Sequence, residues 1–559
     1  MTGTTLHIVS LGCARNDVDS EELAASLTAA GFAWVDEPDR AEVVVVNTCG
    51  FIDQAKRDSI EQLLAAVDVP GSSVTRAVIA AGCLAERYGA DLAESLPEIA
   101  GVIGFDQYPE IATAVRRAQA GQPIPAHEPR DRRRLARTRG GPPGSAAPRM
   151  SPASPSPGVV AGEPQSPTSP GALVGVSDSP LGHGAGGAGV ASVAGSRSPA
   201  AWSSGQGAGL QGTAPPGSDD PWLTVAESVP ARPASGPPVP RRRLDDGPSA
   251  PLKIASGCDR RCSFCAIPAF RGAFRSRPPD ALVAEAGWLA AHGVKELCLV
   301  SENTTSYGKD WGDHAALPRL LGRLADVDGL EWIRLSYLQP DELRPELIAA
   351  VADTPKVVPY FDLSFQHVSA RLLRRMRRFG NADSFLDLIA SIRSRRPDAG
   401  LRSNVIVGFP GETEADIALL TDFLAAAQLD AIGVFGYSDE EGTAAYGLDG
   451  HLDQAEIAAR VDAVADLADV VMAERARRWV GAVVDVLVEG EAEDGWVGRI
   501  PQQGPEVDGE IEVERAVGET GRLLGRGNMV RVRVRDSVGV DLIGVPEWRG
   551  AGHQVHEPG

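Results

Sequence analysis

The sequence predicts an α/β protein with three folded parts: an N-terminal parallel α/β domain, a partial (β/α) barrel and a small C-terminal antiparallel β-barrel. Near the N-terminus, and again after Pro251, short β-rich runs alternate with helical runs, which is typical of parallel sheets covered by helices. The last part of the chain alternates apolar and polar residues between glycine turns, which favours a closed sheet of short antiparallel strands.

The N-terminal domain, residues 1–125, is predicted to carry cysteines at the ends of three parallel strands. The β-rich runs lie at 5–10, 42–47 and 77–81, and each ends at a small loop with a cysteine. These cysteines are Cys13, Cys49 and Cys83. Because ligands gather beyond the carboxyl ends of parallel strands, side chains 36 and 34 residues apart can converge there and hold an iron–sulfur cluster. The alternative is that each cysteine packs as a small apolar side chain.

Residues 126–250 are predicted to form a disordered linker insertion. From about Arg139 to Ala250, Pro, Gly, Ser and Ala dominate, and neither helical nor strand periodicity is visible. A segment of this composition cannot bury enough apolar surface to offset its conformational entropy.

A partial barrel over residues 251–478 is predicted from about six strand–helix units, with reactive groups on the loops at the C-terminal ends of its strands. The loop after the first strand contains a C-x₃-C-x₂-C run, formed by Cys258, Cys262 and Cys265. Three thiolates on one loop can hold three irons of a [4Fe–4S] cluster and leave the fourth iron open to a small chelating molecule. A structural zinc site would require four ligands, and neither a fourth Cys nor an adjacent His completes such a set here.

Two further loops at the same mouth carry candidate ligand-binding residues. Gly408 and Gly411 follow the fifth strand and allow the backbone to approach a ligand closely. Gln366 and His367 follow the fourth strand. A structural hydrogen-bonding role is a simpler interpretation of these two residues than a catalytic role. Cys298, inside the second strand, is predicted to be a core residue.

The C-terminal barrel, residues 479–548, is predicted from five short alternating runs, and a tail of residues 549–559 follows it. Residues 481–547 contain 14 acidic residues against 7 arginines. An RNA-binding barrel should show the reverse balance, so the acidic surface favours a basic protein partner. A merely solvated acidic surface is the alternative.

Composition excludes several classes of protein. A formal charge of −21 argues against a protein that coats nucleic acid by bulk electrostatics. Seven cysteines without an even-spaced framework argue against a disulfide-stapled secreted protein. Neither a signal-like N-terminus nor an apolar run of the roughly 20 residues that span a bilayer is visible, and we expect a cytoplasmic protein without a membrane partner.

The cysteine loop KIASGCDRRCSFCAIPAFR, with Phe264 just before its last cysteine, resembles the signature of radical S-adenosylmethionine (SAM) enzymes. The resemblance implies that SAM chelates the open iron and that Phe264, Gly408 and Gly411 belong to the cofactor site. It also implies that an electron from the cluster cleaves SAM to a 5′-deoxyadenosyl radical, which abstracts a hydrogen atom.

The order of the three parts is similar to that of the methylthiotransferases within this class. The motifs that carry the resemblance include SLGCARNDVDSE (10–21), VNTCGFIDQAKRDSI (46–60), SYG (306–308) and RSNVIVGFPGET (402–413). The segment VNTCGFID is more similar to the branch that modifies an aspartate of ribosomal protein uS12 than to the tRNA-modifying branch. The resemblance implies a second [4Fe–4S] cluster on the three N-terminal cysteines, a TRAM-like C-terminal barrel and insertion of a methylthio group at the aspartate β-carbon.

Three alternatives remain open from the sequence. The first is a methylthiotransferase that acts on a tRNA adenosine, which should show a basic surface and stacking aromatic residues near the site. The second is an iron–sulfur protein that only transfers electrons, and the third is a zinc-binding scaffold. Two departures from the family pattern are the insertion and Ser364–Phe365, where the resemblance implies Pro and Leu.

Overall fold

The structure is a computed structural model that describes residues 4–67, 77–135, 241–505, 508–515 and 524–547. All of these residues belong to one compact unit of the fold. Within them, none of the helices combines the length and the apolar character that a membrane span requires.

Five parallel strands with helices on both faces form the N-terminal domain, in the order β2-β1-β3-β4-β5. The strands are β1 (Thr5–Ser10), β2 (Ala33–Trp34), β3 (Val43–Thr48), β4 (Ala77–Ala81) and β5 (Gly101–Val102). The helices are α1 (Ala14–Ala29), α2 (Asp53–Val67), α3 (Gly82–Ser95), α4 (Ile111–Gln119) and α5 (Arg132–Leu135). The central strand β3 is a run of valines buried on both faces, which is why it reads as continuously apolar rather than alternating.

Two helices of this domain begin earlier than the apolar periodicity predicts, which places the start of α1 at Ser20 and that of α3 at Ala85. The sequence predicts α1 from Ser20, but the helix begins at Ala14 because the polar residue Asn16 is buried and donates to the carbonyl oxygens of Leu11 and Thr48. The helix α3 begins at Gly82, which has a φ of +91° and makes the sharp turn out of β4. Cys83 therefore lies in the first turn of a helix rather than in the loop that the sequence predicted.

Both ends of the predicted linker are packed onto folded parts. At its start, Arg132 is buried and its Nε donates to Glu86 Oε1 at 2.7 Å. At its end, Arg241 is buried between Glu21 and Glu285, with N–O distances of 2.5–2.9 Å. These segments thus belong to the folded parts, while residues 136–240 lie outside the described residues.

Six parallel strands form the partial barrel, as two three-stranded sheets with the orders β10-β9-β6 and β11-β12-β13. Parallel bridges between Ile333 and Val357 and between Leu338 and Leu363 join the two sheets. The barrel strands are β6 (Ser249–Lys253), β9 (Glu296–Val300), β10 (Trp332–Leu335), β11 (Tyr360–Gln366), β12 (Gly400–Val407) and β13 (Ala431–Gly436). The short strands β7 (Ala255–Ser256) and β8 (Arg275–Ser276) form a separate antiparallel pair. The helices are α6 (Ile267–Phe270), α7 (Pro279–Ala291), α8 (Ala316–Ala325), α9 (Pro345–Asp353), α10 (Ala370–Arg375), α11 (Ala382–Arg395), α12 (Glu414–Ala427) and α13 (Gln454–Arg477).

A closed five-stranded barrel follows, in the order β14-β15-β16-β18-β17. Its strands are β14 (Val483–Ala492), β15 (Gly495–Arg499), β16 (Ile511–Glu514), β17 (Met529–Val538) and β18 (Asp541–Pro546). Its interior is apolar because every second residue points inward, as Val530, Val532 and Val534 do along β17. The predicted fold class, with its two α/β parts and its small barrel, is confirmed, but β16 and β18 pair in parallel and not antiparallel as predicted.

A buried ion cluster attaches the C-terminal barrel to the N-terminal ends of the partial-barrel strands, opposite the predicted reactive mouth. Glu296, the first residue of β9, accepts from Arg334 Nε at 2.7 Å and from Arg499 Nη2 at 2.5 Å. Arg334 also donates to the carbonyl oxygen of Pro501 at 2.9 Å. Burial alone would raise the pKa of Glu296, but Arg334 and Arg499 outweigh it and lower that pKa to about 2.

We expect Glu296→Gln to lower the free energy of unfolding by about 3–5 kcal/mol at pH 7, because it leaves Arg334 and Arg499 buried with less counter-charge. The pKa of Glu296 is lower in the folded than in the unfolded chain, so its stabilisation is complete above about pH 4.5 and is lost as the pH falls toward 2. The difference between wild type and variant should therefore be constant down to about pH 4.5 and shrink below it. Urea unfolding followed by the intrinsic fluorescence of the tryptophans, of which Trp479 and Trp496 pack in the C-terminal barrel, measures this.

The matched control is Glu512→Gln, which removes an exposed carboxylate from β16. It should change the free energy of unfolding by less than about 0.5 kcal/mol. Equal effects of the two substitutions would show that the ion cluster does not hold the barrels together.

Candidate active site

Cys13, Cys49 and Cys83, here called the N-terminal triad, meet at one edge of the N-terminal sheet. Cys13 caps α1, Cys49 follows β3 and Cys83 lies in the first turn of α3. A Cβ atom placed on Gly12 would lie 2.9 Å from Cys49 Sγ, and one placed on Gly50 would lie 2.9 Å from the carbonyl carbon of Cys83. The three chain segments can approach this closely because glycine stands at both positions.

The thiols of this triad influence one another electrostatically. Burial, with further contributions from Cys83 and Cys13, raises the pKa of Cys49 to about 12. Burial also raises the pKa of Cys83 above its ordinary value. Such thiols become thiolates when a metal replaces their protons, so metal binding at the triad would release protons.

Cys258, Cys262 and Cys265, here called the barrel triad, line one cavity of about 410 Å³ at the mouth of the partial barrel. The loop that carries them is held by backbone hydrogen bonds from Cys258 N to Gly272 O and from Ser263 N to Met376 O, both 3.0 Å long. Burial raises the pKa of Cys258 to about 12 and raises that of Cys265 as well. The cavity wall also contains four arginines: Arg133, Arg260, Arg261 and Arg377.

The donor sets fit iron–sulfur clusters better than single metal ions. Among the described residues, no group of three or more His, Cys, Asp or Glu side chains is close enough to hold one metal ion. A [4Fe–4S] cluster spreads its thiolate ligands over separate irons and therefore needs them farther apart. All seven cysteines are free thiols, so the six of the two triads are available as ligands.

Comparison with known proteins decides the class to which this arrangement belongs. A curated relative from Cutibacterium acnes, named ribosomal protein uS12 methylthiotransferase RimO, is 51% identical over 542 residues, which cover 97% of this chain and 98% of that protein. A relative of the same name from Kineococcus radiotolerans is 48% identical over 549 residues, 98% of each chain. The chain belongs to the RimO family of radical SAM methylthiotransferases. It is therefore a transferase, and the zinc-scaffold and electron-transfer alternatives are set aside.

Three family models match separate parts of this member of the RimO family. Uncharacterized protein family UPF0004 matches residues 5–104, the Radical SAM superfamily 252–424 and the TRAM domain 480–546. Among solved structures, the radical SAM methyltransferase TsrM from Kitasatospora setae aligns with a TM-score of 0.44 and 15% identity, over 78% of this chain and 73% of that one. The N-terminal triad thus lies within the first matched segment and the barrel triad within the second.

Two arginines that local sequence patterns did not reveal join the two domains of this RimO-family enzyme beside the N-terminal triad. Arg271, six residues after Cys265, reaches the other domain, where its Nη2 lies 3.2 Å from Cys83 Sγ. Arg15 makes the reverse connection, since its Nη2 lies 3.5 Å from Cys13 Sγ and its Nη1 donates to Ser301 O in the barrel at 3.1 Å. Both lie inside the quoted motifs, but their partners are set by tertiary packing that the local sequence does not reveal.

Phe264, Gly408 and Gly411 remain predictions as cofactor-binding residues. Among the described residues that line the cavity of the barrel triad, none of the three occurs. A Cβ atom on Gly408 would lie 2.6 Å from Ile457 Cγ1 of α13, and Gly411 N donates to Gly450 O at 2.6 Å. Both glycines have positive φ angles, near +80°, so turn geometry and packing already account for them.

His367 has a structural role in the strand end after β11. It is fully buried, and its Nδ1 accepts from the backbone N–H groups of Val368 and Ser369 at 2.8 and 3.0 Å. Phe365, at the position where the family pattern implies Leu, stacks on Phe385 with ring centroids 4.4 Å apart. The structural interpretation of His367 is therefore favoured, and the Phe at this position is accommodated by the aromatic core.

Proposed function

We propose that this enzyme inserts a methylthio group at the β-carbon of an aspartate in ribosomal protein uS12, in the cytoplasm, with SAM and two [4Fe–4S] clusters. The observation that carries the proposal is the pair of separate three-thiol sites, one in each of the two domains that Arg15 and Arg271 join. The relatives' names supply the target protein. An aspartate β-carbon carries an unactivated C–H bond, which acid–base side chains cannot break, so the hard step needs a cofactor.

The barrel triad would hold the cluster that binds SAM, and the N-terminal triad would hold the cluster that carries the sulfur. When bound, these groups supply the radical that removes the hydrogen atom and the sulfur that replaces it. The protein supplies positive charge from Arg15 and Arg271 beside the thiolates of Cys13 and Cys83. Phe264 is partly buried against the barrel core beside Cys265, where it would shape the SAM site.

Acidic residues at one end of the C-terminal barrel support a basic protein as the substrate. The turn between β14 and β15 exposes Glu493 and Asp494, and β16, which pairs with β15, exposes Glu512 and Glu514. Gly495, next to Asp494, stands directly opposite Glu514, so these carboxylates form one predominantly acidic face, here called the acidic face, which also contains the exposed Arg515. Ribosomal proteins that bind RNA are basic, and complementary charge would steer such a protein to this face.

Three of the seven arginines in residues 481–547 lie on another strand. Arg531, Arg533 and Arg535 alternate along the outer face of β17. Arg533 contacts Glu547, and Arg535 lies 4.0 Å from Glu514. Because carboxylates pair with these arginines, the stripe is a weak candidate for the free basic surface that a tRNA substrate would require.

An assay with purified uS12 and with purified tRNA, each with SAM and a reductant, tests the proposed substrate. We expect a mass increase of one methylthio group on uS12 and no modified adenosine in tRNA. Methylthiolation of tRNA without modification of uS12 would overturn the proposal in favour of the tRNA branch.

We expect Glu512→Lys to raise KM for uS12 about fivefold with little change in kcat. Reversing one exposed charge of the acidic face should make the binding free energy of uS12 about 1 kcal/mol less favourable. The effect should disappear at high salt, since exposed charges are screened. Asp422→Lys makes the same charge change on the exposed face of α12 and should leave KM unaltered. Equal values of KM for the two variants would show that the acidic face does not contact uS12.

A further inference from the structure

A buried guanidinium lies beside one thiol of each triad. At the N-terminal triad, Arg271 Nη2 lies 3.2 Å from Cys83 Sγ, and at the barrel triad, Arg378 Nη1 lies 3.6 Å from Cys262 Sγ. Arg271 is 2% exposed and Arg378 is 5% exposed, so water does not screen either charge. N–H donors and charge near cluster sulfurs are among the features that set the reduction potential of an iron–sulfur cluster.

Arg271 is fixed in place by groups from both domains. The same Nη2 atom donates to Asn16 Oδ1 at 2.8 Å, while Nη1 lies 3.2 Å from Asp19 Oδ2 and Nε lies 3.6 Å from Glu302 Oε1. The guanidinium also lies over the ring of Phe105, with its central carbon 4.9 Å from the ring centroid. Its charge is therefore partly balanced by two buried carboxylates.

Arg378 has a different environment. Its Nη2 donates to the carbonyl oxygen of Ser364, and its Nε is buried without a hydrogen-bond partner in the described part of the chain. Among the described residues, its guanidinium contacts Cys262 Sγ and Ser364 O, and no carboxylate forms an ion pair with it. The barrel triad thus has beside it a cation that acidic side chains do not balance, whereas Arg271 and Arg15 beside the N-terminal triad lie close to the carboxylates of Asp19 and Glu302.

We propose that Arg271 and Arg378 are positioning residues that donate hydrogen bonds to one cluster thiolate each and set the reduction potentials of the two clusters independently. The inference rests on the proposed function, because it requires a cluster at each triad. Reduction adds one electron to a cluster and makes it more negative, so a fixed neighbouring cation favours the reduced form. Since both clusters lie in one chain, the difference between these two environments decides which of them holds the electron.

The test measures each cluster alone in the full-length chain. In the background C258A/C262A/C265A the N-terminal cluster is present by itself, and in the background C13A/C49A/C83A the barrel cluster is. Each protein is reconstituted anaerobically, its iron is counted, and its midpoint potential is measured by electron paramagnetic resonance during titration with dithionite, which supplies the electron.

R271Q is expected to lower the equilibrium constant for one-electron reduction of the N-terminal cluster by roughly tenfold, which shifts its midpoint potential by about 59 mV toward negative values. R378Q is expected to shift the midpoint potential of the barrel cluster by the same amount. Each substitution is the control for the other, because neither should shift the potential of the cluster that it does not contact. The lysine variants R271K and R378K keep the charge and should shift the potentials less. A purely structural role would change the iron content and not the potential.

Unchanged potentials in both glutamine variants, at full iron content, would overturn the inference. If R271Q loses its iron, the potentials of R271K and R378Q are measured instead. Unchanged potentials in both of these variants would also overturn the inference. About four irons per chain in the C258A/C262A/C265A background show that the N-terminal triad loads, so a negative result there concerns the arginines alone. Absence of iron from that background would instead overturn the proposed function.

Discussion

Replacement of Cys258 by alanine is expected to abolish the cleavage of SAM to 5′-deoxyadenosine. A barrel triad reduced to two thiols, Cys262 and Cys265, cannot hold three irons and leave the fourth open to SAM. The amount of 5′-deoxyadenosine should fall to the level formed by the iron-free protein, and methylthiolation should be lost as well. Chromatographic detection of 5′-deoxyadenosine in the reduced, reconstituted protein measures this.

The control for this variant is Cys298→Ala. Cys298 is buried in β9 and belongs to neither triad, so its removal should leave a small cavity and nearly full SAM cleavage. The iron of the N-terminal triad should remain in Cys258→Ala at about four per chain. Undiminished 5′-deoxyadenosine from Cys258→Ala would mean that the barrel triad is not the SAM site.

Replacement of Cys49 by alanine should separate the two halves of the reaction. The barrel triad is intact in this variant, so SAM is still cleaved, but the N-terminal triad keeps only Cys13 and Cys83 and cannot hold the sulfur-carrying cluster. The expected result is 5′-deoxyadenosine at near the wild-type amount and no methylthio product on uS12. Mass spectrometry of uS12, together with the 5′-deoxyadenosine measurement in the same reaction, decides it.

Methylthiolated uS12 from the Cys49→Ala enzyme would contradict the role of the N-terminal triad. Loss of SAM cleavage in this variant would contradict the separation of the two sites. The two cysteine substitutions therefore predict different pairs of results and distinguish the triads from each other.

The sequence predicted the parts of the fold that local pattern determines. The alternation of strands and helices, the period-two runs such as Met529–Val538 and the three cysteines on one loop are visible within short windows. The convergence of Cys13, Cys49 and Cys83 was also predictable, because the carboxyl ends of adjacent parallel strands must meet at one edge.

The contacts that join the domains could not be predicted in this way. Arg271 contacts Cys83 across 188 residues, and nothing in either local segment shows that the two meet. The start of α1 was missed for a similar reason, since the polar residue Asn16 is buried only by partners that tertiary packing brings to it. The packing of α13 against Gly408 was likewise not visible in the local sequence, and the ligand-binding role of Gly408 stays a prediction.

The content of iron and acid-labile sulfide per chain after anaerobic reconstitution tests the central claim most directly. Two separate thiol triads predict about eight irons and eight sulfides per chain, and about four of each in both C13A/C49A/C83A and C258A/C262A/C265A. A wild-type content of about four, unchanged when Cys13, Cys49 and Cys83 are removed, would contradict the existence of a second cluster.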